Sequence, residues 1–275
     1  MSEVITWKGG NSYQKFKDFD ANAKYDIVVL GSSHAYRGYD PRIFKKYGLT
    51  LFNLGTSGQS IFNSYYIAKN YIAKNNCDLV LLDIYDGALA SDGIESCADL
   101  IQNISSDKAA FQMGLHLKNP GAINMLTVRM LNTNSSPMYI DSFYVFNGYS
   151  EKRDSVLNTA KYSYTADLKV NPIQLAYLED LLLYFKQSSI NVLMVTHPTP
   201  KESNNGNHDQ FNEMVSMLSK KYTIPYWDYS YSVVLDTKKD YYDSHHLNQS
   251  GVNKFDSVLI NDLIKNNYIK FGKQQ

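Results

Sequence analysis

The 275-residue sequence contains only two cysteines, Cys77 and Cys97, with neither the close spacing of a zinc knuckle nor a redox CxxC. That excludes a disulfide-built scaffold; the two read as free, packed thiols, with a single disulfide as the alternative. Charge of neither sign is in excess, since Lys plus Arg and Asp plus Glu both number 27, and nothing recommends a nucleic-acid or anionic-membrane partner. No stretch approaches the roughly 20 apolar residues of a membrane helix, and the opening MSEVITWKGGNSYQKF lacks the apolar core of a signal peptide. The chain as written reads as soluble, either cytoplasmic or exported or anchored through a segment since removed. It has no GxGxxG, no GK[ST] ending and no histidine pair at helical ligand spacing. A phosphate-binding loop, a catalytic metal and a cofactor are therefore not expected.

What is present is ordinary for a globular protein, 44% hydrophobic and 20% charged, which argues against disorder. The 23 tyrosines stand out. A flat apolar face with a hydroxyl suits sugar binding, and it suits packed cores equally well.

Asp26 to Leu30 is a short, continuously apolar run of the kind buried on both faces of a parallel sheet, and it ends at Gly31. In YDPRIFKKYG, Asp40 caps a helix, Pro41 suits its first turn and Gly48 its end. LFNL (51–54) then runs into the glycine-rich turn GTSGQS and a helix with Ile61, Tyr65, Ala68 and Ile72 on one face, and DLVLLDI (78–84) opens into the polar turn YDGA. Three strand–turn–helix units in the first 90 residues predict a right-handed, mostly parallel α/β sheet. Order returns with the helix PIQLAYLEDLLLYFKQ, the strand INVLMVT, a helix over about 208–221, a short strand at IPYWDYS and a last helix over about 249–266. Residues 87 to about 172 break the rhythm with Asn, Ser and Gly clusters, one helix in GAINMLTVRML and an aromatic stretch. They are expected to form an insertion or lid over the carboxyl edge of the sheet, after its third strand, within a single domain spanning residues 1–275.

In an open parallel sheet, residues just past the carboxyl ends of the strands meet in one crevice. Here those residues are Ser32, Ser33 and His34; Asn53, Gly55, Ser57 and Gly58; Tyr85 and Asp86; His197; and DSHHLNQSG at 243–251. A serine hydroxyl becomes a nucleophile when a base removes its proton, and the base works best when a carboxylate fixes its tautomer. Asp243 and His246, three residues apart, can lie on one side of a turn. His245 is adjacent, so spacing alone leaves either histidine as the base. Gly58 and Ser33 can present backbone N–H groups to a developing oxyanion.

The ordered blocks VVLGSSH, NLGTSGQS, LLDIYDG and DSHHLNQSG resemble those of the SGNH (GDSL-like) hydrolase superfamily, and with the strand–helix rhythm the likeness covers nearly the whole chain outside the insertion. It implies a three-layer α/β/α fold with about five parallel strands in flavodoxin-like order. It also implies Ser33 as nucleophile, Ser33 and Gly58 as oxyanion donors, and Asp243 with His246 as the closing carboxylate and base, leaving His245 at the rim. Two positions depart from the pattern. Ser32 replaces the usual Asp, and Tyr85 falls where the family's oxyanion-hole asparagine would stand, able to substitute as a donor or only to pack. GSSH is closer to the branches resembling acyltransferases of polysaccharides and cell-wall polymers. The expected function is ester hydrolysis, removing a small acyl group such as acetate from a carbohydrate. Transfer of the acyl group to a cell-surface polysaccharide is one alternative, and a carbohydrate-binding protein with a degraded site is another.

Other residues have two readings each. His34 contacts substrate or, more in keeping with a helix start, bonds locally. His197 is a site-edge residue or a structural turn. Arg37 binds an anionic sugar or carboxylate, or serves the surface. Asn53 steadies the second turn by side-chain hydrogen bonds or reaches substrate. Tyr139 to Tyr149 form a carbohydrate platform or a packed flap over the crevice.

Overall fold

The computed structural model of the protein describes residues 9–131, 139–154, 168–200 and 206–270. Its centre is an all-parallel sheet of five strands, β1 (Tyr25–Leu30), β2 (Leu51–Asn53), β3 (Cys77–Asp83), β4 (Val192–Thr196) and β5 (Tyr226–Asp228), in the order β2-β1-β3-β4-β5. That is the flavodoxin-like order. The register sets Val29 against Asn53 on one side and Leu81 on the other, and Asp83 against Val195.

Strand side chains alternate between two cores, as the two-residue period of a strand requires. Val28, Leu30, Val80, Leu82 and Met194 enter one; Ile27, Val29, Leu79, Leu81, Leu193 and Val195 enter the other. The first core is closed by α1 (Gly10–Asp18), α4 (Ile61–Tyr71), α9 (Pro172–Gln187) and α10 (His208–Tyr222), the second by α2 (Ser33–Gly38), α3 (Pro41–Lys46) and α11 (Gln249–Lys265). The result is a three-layer α/β/α architecture. Local chemistry sets the helix starts: Asp40 accepts the Arg42 N–H ahead of Pro41, Ser60 caps α4, and Asn171 and Asn248 cap α9 and α11. Among the described residues no helix is long and apolar enough to cross a membrane. Cys77 and Cys97 are both buried free thiols.

The described part of the insertion holds more helix than expected. Besides α8 (Pro120–Leu131) it holds α5 (Asp86–Ala90), α6 (Ile94–Asn103) and α7 (Asp107–His116). Ser106, which reads in sequence as part of a loop cluster, is the cap of α7. Leu100, Ile101, Ala109, Ala110 and Met113 make an apolar stripe that packs onto the outside of the first core, with α6 against α1 and α7 against α4. The aromatic stretch lies beside the loop after β2, its residues 139–143 sharing a pocket wall with Tyr36 and Ser57. It runs along the open edge of β2, where Asn53 N–H donates to Asn147 O at 2.9 Å and Asn147 Nδ2 donates to Leu51 O at 3.1 Å. It thereby covers an edge that would otherwise present unpaired backbone groups. Residues 132–138 and 155–167 of the expected insertion lie outside the described residues.

Candidate active site

The strand order reverses between β1 and β3, and the crevice at the carboxyl ends of these strands collects the polar residues. β1 runs into Gly31, where a side chain has no room: a Cβ there would stand 2.8 Å from Asp83 Cβ and 2.9 Å from Asp83 O. The chain then turns sharply into α2. Ser32 caps the helix by accepting the His34 N–H, and Ser33 takes the first helical position, half-buried. Its N–H has no intrahelical partner there.

Asp243 and His246 lie in the loop between β5 and α11. Tyr241 and Leu247 form an antiparallel bridge, and Tyr242 N–H donates to His246 O at 2.8 Å. Buried Asp240 ties the loop to α11 by accepting from Ser250 Oγ (2.7 Å) and Lys254 Nζ (2.6 Å). Within the loop Asp243 Oδ1 accepts the N–H groups of His245 (3.0 Å) and His246 (2.9 Å), the local bonding for which aspartate is suited in turns. That leaves Oδ2 2.8 Å from His246 Nδ1, while His246 Nε2 lies 2.7 Å from Ser33 Oγ. Residues 213 positions apart thus form one hydrogen-bonded line, Asp243–His246–Ser33.

The electrostatics suit a base. Burial pushes the His246 imidazolium down, and the hydrogen bond and charge of Asp243 offset this in part, so the pKa lies below the usual histidine value. Burial works against the Asp243 carboxylate, yet the bond to His246, its charge and the two backbone N–H groups outweigh it and hold Asp243 well below the ordinary range. At neutral pH this means a carboxylate on Nδ1–H and a free Nε2 lone pair facing the serine hydroxyl.

The loop after β2 is fastened to the serine turn. Thr56 N–H donates to Gly31 O at 3.2 Å. Asn53 is fully buried, its amide donating to Ala35 O at 2.6 Å while its oxygen accepts the Gly55 N–H at 2.9 Å. Asn53 therefore joins the two loops. Lys15, buried in α1, donates to Gly55 O from beneath, and desolvation lowers its pKa to about 7. Sequence reading missed Lys15, because a lysine in an amphipathic helix looks solvated. Gly58 follows in this loop, exposed, with φ +58, and its N–H bonds to no described residue.

His34 is the hub of the crevice floor. It is 5% exposed and its Nδ1 lies 3.2 Å from Ser32 Oγ. Its ring stacks on His197 at 3.8 Å between centroids, and the rings of Tyr85, His246 and His245 lie at 4.6, 4.8 and 5.1 Å. His197 is equally buried, and its Nδ1 is 3.1 Å from Asp83, which also accepts from Tyr39 Oη at 2.7 Å. This second carboxylate–imidazole pair was not read from the sequence. The signal was there in the register: Asp83 ends β3 opposite Val195, two residues before His197. Tyr85 is half-buried at the start of α5, and burial raises its phenol pKa while contact with Ser32 pulls it partly back. Arg37 is half-buried over the rings of Tyr36 and Tyr242.

Beside His34, Tyr85 and His245 opens a pocket of about 180 Å³, whose far wall includes His208, Phe211 and Tyr231. There His208 Nε2 lies 2.9 Å from Asp228, and that hydrogen bond raises the histidine pKa. Among the described residues, His34, His245 and His246 are a group that can offer one metal-ligating atom each, all within 4.8 Å of one another.

No family model matches the chain, and no curated protein matches it. Among solved structures it is similar to a GDSL-like lipase from Bacteroides thetaiotaomicron, at 11% identity over 88% of this chain and 89% of that one, with TM-score 0.47. It is similar also to a catalytic mutant of an acetylxylan esterase from Geobacillus stearothermophilus (10% identity, 92% and 98% covered, TM-score 0.47). A third is a lipase/acylhydrolase from Enterococcus faecalis (10% identity, 88% and 96% covered, TM-score 0.46). At 10–11% identity the chemistry has to be read from this chain's own side chains.

Proposed function

We propose that this protein is a serine esterase of the SGNH type that removes a small acyl group from a carbohydrate or related ester. The observation that carries the reading is the continuous line from Asp243 through His246 to Ser33, with bonds of 2.8 and 2.7 Å. In the first step His246 Nε2 takes the Ser33 hydroxyl proton as Oγ attacks the acyl carbon. The carbonyl oxygen becomes an oxyanion facing the N–H groups of Ser33 and Gly58, with the Tyr85 hydroxyl as third donor. Tyr85 stands against the His34 ring, and its phenol is protonated at neutral pH. Collapse of the intermediate breaks the bond to the sugar oxygen, which leaves with the proton from His246. Water, deprotonated by the same nitrogen, then attacks the acyl-enzyme and frees the acid and Ser33.

The adjoining pocket of about 180 Å³ supports a small acyl group or a single sugar ring. Pockets for drug-sized ligands run to roughly 300–1,000 Å³. The Tyr85, Phe211 and Tyr231 rings on its walls suit the apolar face of a sugar.

Hydrolysis of p-nitrophenyl acetate by wild type and Ser33→Ala tests the assignment. Turnover lost in the variant is expected; equal, background rates in both would instead favour a carbohydrate-binding protein. Labelled acetylated glycan, with and without a competing acceptor sugar, then tests the second step. Release of free acetate in both cases is expected, whereas label moving to the acceptor at the expense of acetate would make the protein an O-acyltransferase.

A further inference from the structure

We propose that His34, His245 and His246 form a site for a divalent transition-metal ion of the Zn²⁺ class, whose binding switches the catalytic base off. One ligating atom from each residue lies within 4.8 Å of the others. A tetrahedral ion with bonds of about 2.0–2.1 Å to imidazole nitrogen requires roughly 3.3 Å between ligand atoms, so small side-chain rotations close the site. His34 and His246 are buried, and His245, the exposed member, has the most freedom to turn toward them.

A second observation points to a ligand. His34 is 5% exposed, yet its Nε2 is buried with no hydrogen-bond partner among the described residues. A buried polar nitrogen left in this state is costly unless something else occupies it. The ring is held in place from the far side by the 3.8 Å stack on His197, itself pinned by Asp83. Asp243 on His246 Nδ1 supplies the carboxylate that orients a metal-bound imidazole and raises its basicity. Three imidazoles and a water complete a tetrahedron, which suits Zn²⁺ and excludes the oxygen-seeking Mg²⁺ and Ca²⁺.

The consequence follows from the position of His246. Its Nε2 now faces Ser33 Oγ at 2.7 Å. Donation of that lone pair to a metal ion forms one coordinate bond, breaks the hydrogen bond and leaves nothing to accept the serine proton. Metal binding and serine activation therefore exclude each other. The inhibitory half rests on the proposed function, whereas the site itself does not.

Co²⁺ titrated at neutral pH into metal-free Ser33→Ala protein tests the site without reference to activity. One equivalent should produce the visible d–d absorption of tetrahedral Co²⁺, and its affinity should fall on the order of 100-fold in His34→Gln and in His245→Ala built on the same background. His245→Ala removes an exposed side chain and so keeps the test independent of folding. Absence of the absorption, or an affinity in either histidine variant unchanged from that of the Ser33→Ala parent, overturns the proposal. With the wild-type protein and p-nitrophenyl acetate, Zn²⁺ should suppress hydrolysis and a chelator restore it. Zn²⁺-stimulated hydrolysis would overturn the inhibitory role. An inactive wild type that still shows the Co²⁺ absorption would remove the esterase reading and keep the site.

Discussion

Two carboxylate–imidazole pairs lie within one crevice, and they are built alike. In each, the carboxylate meets Nδ1, at 2.8 Å in Asp243–His246 and 3.1 Å in Asp83–His197. They differ in what surrounds them. His246 turns its Nε2 to a serine hydroxyl, and Asp243 is 27% exposed and backed by two backbone N–H groups. Asp83 is wholly enclosed, shared with the Tyr39 hydroxyl, and the Nε2 of His197 has no partner among the described residues. On the proposed function, pairing a carboxylate with a histidine is not enough to make a base: what the second nitrogen faces decides whether the pair moves a proton or holds a ring in place.

The sharpest way to separate the pairs is to remove the group that only one of them faces. Ser33→Ala should lower kcat for an acyl ester by about a millionfold with an unchanged thermal transition, the scale seen when a triad nucleophile is lost. Asp243→Asn leaves the geometry but reverses the tautomer preference of His246, and kcat should fall by about 10⁴-fold. A variant within tenfold of wild type in either assay would erase the distinction.

The Asp83–His197 pair should behave in the opposite way. His197→Ala leaves a buried carboxylate with Tyr39 alone, and the predicted effect is a loss of about 3 kcal/mol of stability in denaturant titration with kcat changed less than tenfold at temperatures where the variant is folded. A kcat loss comparable to that of Asp243→Asn would make His197 part of the chemistry.

The smallest effects concern pH, measured with a chelator present. His246 works as the neutral imidazole, and its pKa lies below the ordinary 6.5. The fall of kcat/KM on acidification should therefore have its midpoint below about 6.5. Asp243→Asn removes the charge that raises the His246 pKa, so what remains of its acid limb should move lower still. Stability follows the same sign through His34, whose pKa burial drives well below 6.5. Between that folded value and 6.5 the unfolded chain binds the extra proton, so stability present at neutral pH is lost on acidification through this window. A denaturation midpoint that rises on acidification below 6.5 would contradict the assignment of His34 as buried and neutral.

How much of this was legible in the sequence depended on range. Strands β1, β3 and β4 were readable because runs such as IVVL and LVLL are short, continuously apolar and bounded by turn residues, the pattern of a strand covered on both faces. α6 and α7 were not, since the Asn and Ser clusters that look like loops are here helix caps and helix ends, and their apolar stripes pack on other helices and not on the sheet. Asp243 and His246 could be paired from local spacing, and their link to Ser33 could be expected from the order of the blocks. The stack of His34 on His197 could not, because it depends on side-chain directions across three loops. Tyr85, the departure in the third block, stands against the His34 ring and Ser32, a placement with no local signature.

The central claim is that Ser33 is activated by His246 and Asp243. Reaction of the folded, metal-free protein with a fluorophosphonate, followed by mass spectrometry of its peptides, tests nucleophile, base and orientation in one measurement. The predicted result is a single adduct on Ser33 in wild type, forming far more slowly in His246→Ala and not at all in Ser33→Ala. A folded wild-type protein that takes up no label, or takes it up at another residue, would contradict it.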